Sequence, residues 1–232
     1  MLNSTITIKI KQRLNKLDSN DYDNIECWQV VEGFNKAQVE WVRRQLHGIN
    51  LTKEGDEQST RRKDDLQVLL QTFDLSLVDK DYYYMANLPT EYLQWKRVDV
   101  YATKGCCDKR RMMVYLAEEG NLNQLLRDDA KKPNFAWAET FATLKGNDVN
   151  IYTNDEFDIA KADLVYYRQP IKIQINGCVD PYTSVQSTAE VLCEFKDDIV
   201  ELIIDEAVSI IAGDIESGNQ FSRGTETAER NN

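Results

Sequence analysis

Histidine occurs once in the 232 residues, at His47, and that scarcity narrows the chemistry open to the chain. A serine or cysteine nucleophile needs a base and an orienting acid close by. His47 instead ends an expected helix with Gly48 behind it, a position where histidine satisfies terminal carbonyls. Five cysteines, Cys27, Cys106, Cys107, Cys178 and Cys193, fall in no metal-ligand spacing, and an odd count with one adjacent pair reads as reduced thiols in a reducing compartment. Gly-rich phosphate loops, zinc patterns and calcium loops are missing. No apolar run reaches the eighteen or so residues of a membrane span, and the start, MLNSTITIKIKQRL, turns basic at once, so neither a span nor a leader is expected. The chain reads as cytosolic. Basic residues are also in deficit: 28 Lys and Arg stand against 39 Asp and Glu, a net charge of −11, which excludes a protein whose own task is to grip nucleic-acid phosphates.

The chain does have length, aromatic residues and amphipathic stretches. A chain of this size buries roughly 70–75% of its unfolded surface and needs no metal staple. Eleven tyrosines and four tryptophans are the material of interface anchors, so the balance favours surfaces over chemistry. No catalytic, cofactor-binding or metal-ligating residue is expected. The dominant element is FKDDIVELIIDEAVSIIAGDIE, Phe195 to Glu216, in which Ile199, Leu202, Ile203, Ala207, Ile210 and Ile211 recur at steps of three and four as one helix stripe. Its other face is acidic, with seven carboxylates against Lys196 alone.

Taken in order, Asn3-Ser4-Thr5 is expected to cap a short helix with Ile6, Ile10, Leu14 and Leu17 on one side, although Ile6, Ile8 and Ile10 also alternate as a strand would. An Asp-rich turn leads to a second helix over about 24–47, with Trp28, Val31, Phe34, Ala37 and Trp41 on one face. Residues 48–60 form a polar loop, and 61–73 resume a helical period through Leu66, Leu69, Leu70 and Phe73 after the bases Arg61, Arg62 and Lys63, which could meet an acidic partner or simply be solvated. From 75 to 175 short aromatic and β-branched runs predict strands around Tyr82–Tyr84, Val98–Tyr101, Met112–Tyr115, Phe135–Leu144, Asn150–Tyr152 and Leu164–Tyr167. Gly146-Asn147 forms a hairpin turn, and a short helix lies within 118–130. The expected fold is α+β: N-terminal helices and a long C-terminal helix form a helical bundle, with a small antiparallel β domain inserted between them. The expected parts are 1–74 helical, 75–190 inserted β-rich, 191–216 the C-terminal helix and 217–232 an extended tail.

Several segments together resemble the head-to-tail connector, or ring, proteins of tailed bacteriophages, closest to the ring proteins of crAss-like podoviruses. They are IKQRLNKLDSNDYDNIECWQVVEGFNKAQVEWVRRQ with its Asn35–Gln38 run, Leu88–Leu93, Ile151–Ile159, Val165–Pro170 and FKDDIVELIIDEAVSIIAGDIESGNQ. They span nearly the whole chain in the family's order. The resemblance implies a virion structural protein, made in the host cytoplasm, that forms a twelvefold homo-oligomeric ring beneath the portal. Such a ring joins head to tail, contacts adjacent ring or tail proteins and lets genomic double-stranded DNA pass through its lumen without specific binding; it involves no membrane. It further implies that the tail docks on the portal or a neighbouring subunit, with Phe221 and Arg223 as anchors, and that Arg61, Arg62 and Lys63 are possible ring contacts. An acidic DNA-mimicking inhibitor and an unrecognised cytosolic enzyme are the alternatives.

Overall fold

A computed structural model describes residues 1–14, 25–47, 64–105 and 109–214. The chain divides into two compact units, one formed by Met1–Val68 with Pro170–Asn232 and the other by Leu69–Gln169.

The first unit is built on three helices: α1 (Asn3–Arg13), α2 (Cys27–His47) and, after the sheet unit, α4 (Asp197–Asp214). Phe34, Ala37, Trp41 and Val42 of α2 and Ile6 and Ile10 of α1 are buried at the helical spacing expected of them. α4 departs from its amphipathic reading. Besides Ile199, Ile203, Ala207 and Ile211, the residues Val200, Ile204, Val208 and Ala212 are also buried, so nearly the whole circumference of this helix is enclosed. It is the central helix of its unit. Gly33 lets α2 and α4 approach closely: a Cβ at that position would fall 2.6 Å from Cγ1 of Ile211. Trp41 meets Phe195 edge-on at 5.4 Å between ring centroids. The expected side-chain cap at the start of α1 is not made. Asn3 lies inside the helix, and its amide is used elsewhere.

The second unit is an eight-stranded curled sheet, a half-barrel, in the order β1-β8-β4-β5-β6-β7-β3-β2. The strands are β1 (Leu70–Asp74), β2 (Val78–Asp79), β3 (Tyr83–Asn87), β4 (Tyr92–Thr103), β5 (Arg110–Leu116), β6 (Glu139–Lys145), β7 (Asp148–Tyr152) and β8 (Asp158–Arg168). All neighbours are antiparallel except β5 and β6, whose parallel pairing requires the crossover through α3 (Leu122–Arg127). One sheet face carries the core, with Val98, Val100, Met112, Ala142, Ile151 and Leu164 among its residues. Gly146, at φ +63°, turns β6 into β7 where the Gly-Asn pair predicts it.

This architecture corrects the expected fold class. α+β stands, but the sheet dominates, and a long C-terminal helical bundle with a small β insertion is not what forms. The apolar runs around Val98 and Leu164 are only the centres of strands twelve and eleven residues long. Their outer parts, such as DIAKAD in β8, alternate charged and apolar residues because one face meets water, so they lack the apolar density that marks a buried strand. The 61–73 helix is corrected too. Within its described part, Gln67–Leu69 is a single 3-10 turn, and Leu70 and Phe73 lie on β1, whose partners Tyr167 and Leu164 on β8 override a helical spacing of three.

Candidate functional site

The Asn35–Gln38 run forms a polar seam on α2. One turn of helix places both amides on the same side. Oδ1 of Asn35 accepts from the backbone N–H of Ile173 at 2.8 Å, and its Nδ2 donates to the Ile173 carbonyl at 3.2 Å, so a single side chain closes both backbone groups of a fully buried residue. Gln38 donates to Asn35 Oδ1 at 3.0 Å and accepts from the thiol of Cys193. Burial raises that thiol's pKa, so it acts as a donor and not as a nucleophile. Asn35→Ala leaves the Ile173 N–H and carbonyl buried without partners, and a loss of about 1–3 kcal/mol is expected in a denaturant melt. Asn35→Asp keeps only the acceptor and should fall between the two.

The acidic row of α4 is largely paired. Glu201 meets both Lys9 and Arg13, Asp205 meets Arg13 at 2.6 Å, and Glu206 is gripped through both its oxygens by Arg44. Burial works against charge on all three carboxylates. At Glu201, hydrogen bonds from Lys9 and Arg13 prevail and hold the carboxyl below the ordinary glutamate range, whereas Asp205 and Glu206 are pushed up by burial despite Arg13 and Arg44. A depressed folded pKa contributes stability above the unfolded value and loses it as pH falls through the folded one. Glu201→Gln is therefore expected to cost up to about 1 kcal/mol at neutral pH, with the deficit closing as the pH falls below the ordinary glutamate range. Denaturant melts at stepped pH check this, and a deficit that persists in acid would show that the charge is not its source.

Two surfaces face solvent with apolar side chains. On the helical unit, residues 174–191 form a finger closed at its root by the Gln174–Val191 bridge, into which Asn3 donates twice, at 2.9 and 3.0 Å. Higher up, Val179 pairs with Gln186. At the tip the carboxylate of Asp180 accepts from the Tyr182 N–H at 2.9 Å and from the Thr183 hydroxyl at 3.0 Å, which fixes the turn. Tyr182 is 78% exposed and Val185 63%. The finger is held laterally by a disulfide between Cys27, at the start of α2, and Cys178, with Cα atoms 5.8 Å apart, and by the edge-on ring contact of Trp28 with Tyr182. This bond corrects the reading of all five cysteines as reduced thiols. Among the described cysteines only Cys193 is free. No signal in the sequence couples two cysteines 151 positions apart.

On the sheet unit, β5 presents Arg111, Met113 and Tyr115 on the face opposite the core. Met113 is 69% exposed and lies beside Asp99 of β4, which both Arg97 and Arg111 engage, at 3.1 and 2.5 Å. Those hydrogen bonds outweigh the burial of Asp99 and lower its pKa. Two cations share one anion, so the spot has surplus positive charge. Trp137, 60% exposed, sits in the turn whose next residue, Ala138, accepts from the Met113 N–H at 2.7 Å. Sequence reasoning did not find this patch or the finger tip, because exposed apolar residues read from sequence like core ones.

The residues expected to act, Phe221 and Arg223 with Arg61, Arg62 and Lys63, lie outside the described residues, as do the 48–60 loop and Cys106-Cys107. His47 is the last residue of α2. Among the described residues, no group of three or more His, Cys, Asp or Glu side chains is placed to hold a metal ion, and no helix is long and apolar enough to cross a membrane. Comparison with protein-family models and with curated proteins finds no match.

Proposed function

We propose that the chain is a structural, non-enzymatic subunit of a connector ring beneath the portal of a tailed, crAss-like podovirus, joining head to tail and forming part of the DNA conduit. The observation that carries this reading is where the ring-protein-like segments fall. Asn35, Gln38, Trp41 and Arg44 of α2 and the row from Ile199 to Ile211 of α4 interlock within one helical unit. The resemblance therefore falls on residues that build one scaffold and not on scattered surface positions.

Charge supports the reading. A net charge of −11 keeps a passing duplex from adhering, since bases that neutralise phosphates would hold it. The row on α4 is not the conduit lining in this reading, because Glu201, Asp205 and Glu206 are committed to Lys9, Arg13 and Arg44. The same pairing counts against a DNA mimic, which needs its carboxylates free to stand in for phosphates.

The mass of the purified protein, measured alone and after mixing with portal, tests the proposal together with proteomics of purified virions. A ring that forms on the portal and a stoichiometric virion band are expected. A protein indifferent to portal and absent from virions ends the connector reading. With the ring in hand, the double replacement of Phe221 and Arg223 by Ala should leave the fold intact and weaken assembly about tenfold or more if the tail is an anchor.

A further inference from the structure

We infer that the finger of one copy docks on the β5 face of a second copy, in a head-to-tail contact between two different patches of the same chain; the choice of a second copy as partner rests on the ring reading. The finger offers Val179, Tyr182 and Val185 on a turn fixed by Asp180, the Cys27–Cys178 bond and the Trp28 contact. A rigid, exposed tyrosine is an anchor that loses little entropy on binding. The charges at this site are acidic: Asp180 in the turn, and exposed Glu26 immediately before the bonded Cys27. The β5 face offers the opposite character, with exposed Met113 and Trp137 beside two arginines that share one carboxylate. An acidic-rimmed apolar knob and a basic-rimmed apolar surface are complementary in both hydrophobicity and charge. A closed ring needs such heterologous pairs, one patch meeting a different patch on the next copy. Two identical fingers facing one another would instead oppose like charges.

The contact is tested with the full chain by sedimentation velocity over a concentration series. Wild-type protein should self-associate with a dissociation constant of roughly micromolar order and lose affinity as salt is raised. Tyr182→Ala and Arg111→Glu should each weaken self-association about tenfold or more while circular dichroism and melting stay as in wild type. The decisive step mixes the two variants. Tyr182→Ala retains a good face and Arg111→Glu a good finger, so a heterologous contact is rescued as a one-to-one dimer, whereas an isologous contact is not. A wild-type protein that stays monomeric to about millimolar concentration overturns the inference. So does a loss in only one variant, or two weakened variants with no rescue. Rescue by a protein absent from virions would remove the ring reading and leave the contact; a virion protein without rescue would do the reverse.

Discussion

Trp41→Ala is expected to destabilise the helical unit by about 3–5 kcal/mol, a large share of the roughly 5–15 kcal/mol that holds an ordinary domain together. The indole is 2% exposed and meets the ring of Phe195, the residue two positions before α4 begins, edge-on. Truncation removes that contact and opens a cavity beside a helix enclosed nearly all round, where α2 and α4 already touch at Gly33 and Ile211 and leave little freedom to collapse. Trp41→Phe separates packing from polarity. The indole Nε1–H is buried without a hydrogen-bond partner among the described residues, so the phenyl ring gives up volume but also relieves an unmet donor. A cost of no more than about 1–2 kcal/mol is expected for Phe by urea melt followed by circular dichroism. Equal losses for Ala and Phe would mean that ring packing is not the source.

Much of this helical unit could be read in the sequence, and the reason is periodicity. α1, α2 and α4 each bury residues at steps of three and four, and the hydrophobic pattern predicts each helix within a few residues of where it lies. Six of the eight strands and the Gly146 turn announce themselves through β-branched and aromatic clusters. The misses share a cause, which is that the deciding partner is far away in sequence. β1 is a strand because β8, nearly a hundred residues on, supplies its register. The Asn35 run stands out as a motif, yet its role depends on Ile173, 138 positions later. The carboxylates of α4 look like a solvated face until Lys9, Arg13 and Arg44 are brought against them. α4 itself looks amphipathic because Val200, Ile204 and Val208 are interleaved with acids, and only the position of α1 explains why that side is enclosed as well. The candidate interaction patches were the least legible feature, since exposure at Met113 or Tyr182 follows from the outer surface of the fold and not from local pattern.

Opening the Cys27–Cys178 bond, by reduction or by replacing both residues with Ser, is expected to lower the stability of the helical unit by about 2–5 kcal/mol. The bond joins residues 151 apart, and in the chain-entropy picture a loop of that size removes roughly 5 kcal/mol of freedom from the unfolded chain. The loss should lower the melting point without unfolding the protein, because the finger keeps the Gln174–Val191 bridge, the two donations from Asn3 and the Asn35 hold on Ile173. The part released is the tip. Cys178 stands two residues before Asp180, and with the covalent tie gone the Trp28–Tyr182 contact is the lateral support left to it, so faster proteolysis within 177–187 is expected alongside the drop in melting point. Peptide mapping without reductant decides whether the pair is closed, and the compartment sets the answer: a reducing cytosol keeps both thiols open, and an oxidising exterior closes them. Protein purified under reductant and then oxidised should gain stability as two thiols disappear. If the two thiols titrate away with no change in melting point, the covalent tie adds nothing to a finger that hydrogen bonds already hold, and the Trp28–Tyr182 pair becomes the element to mutate next.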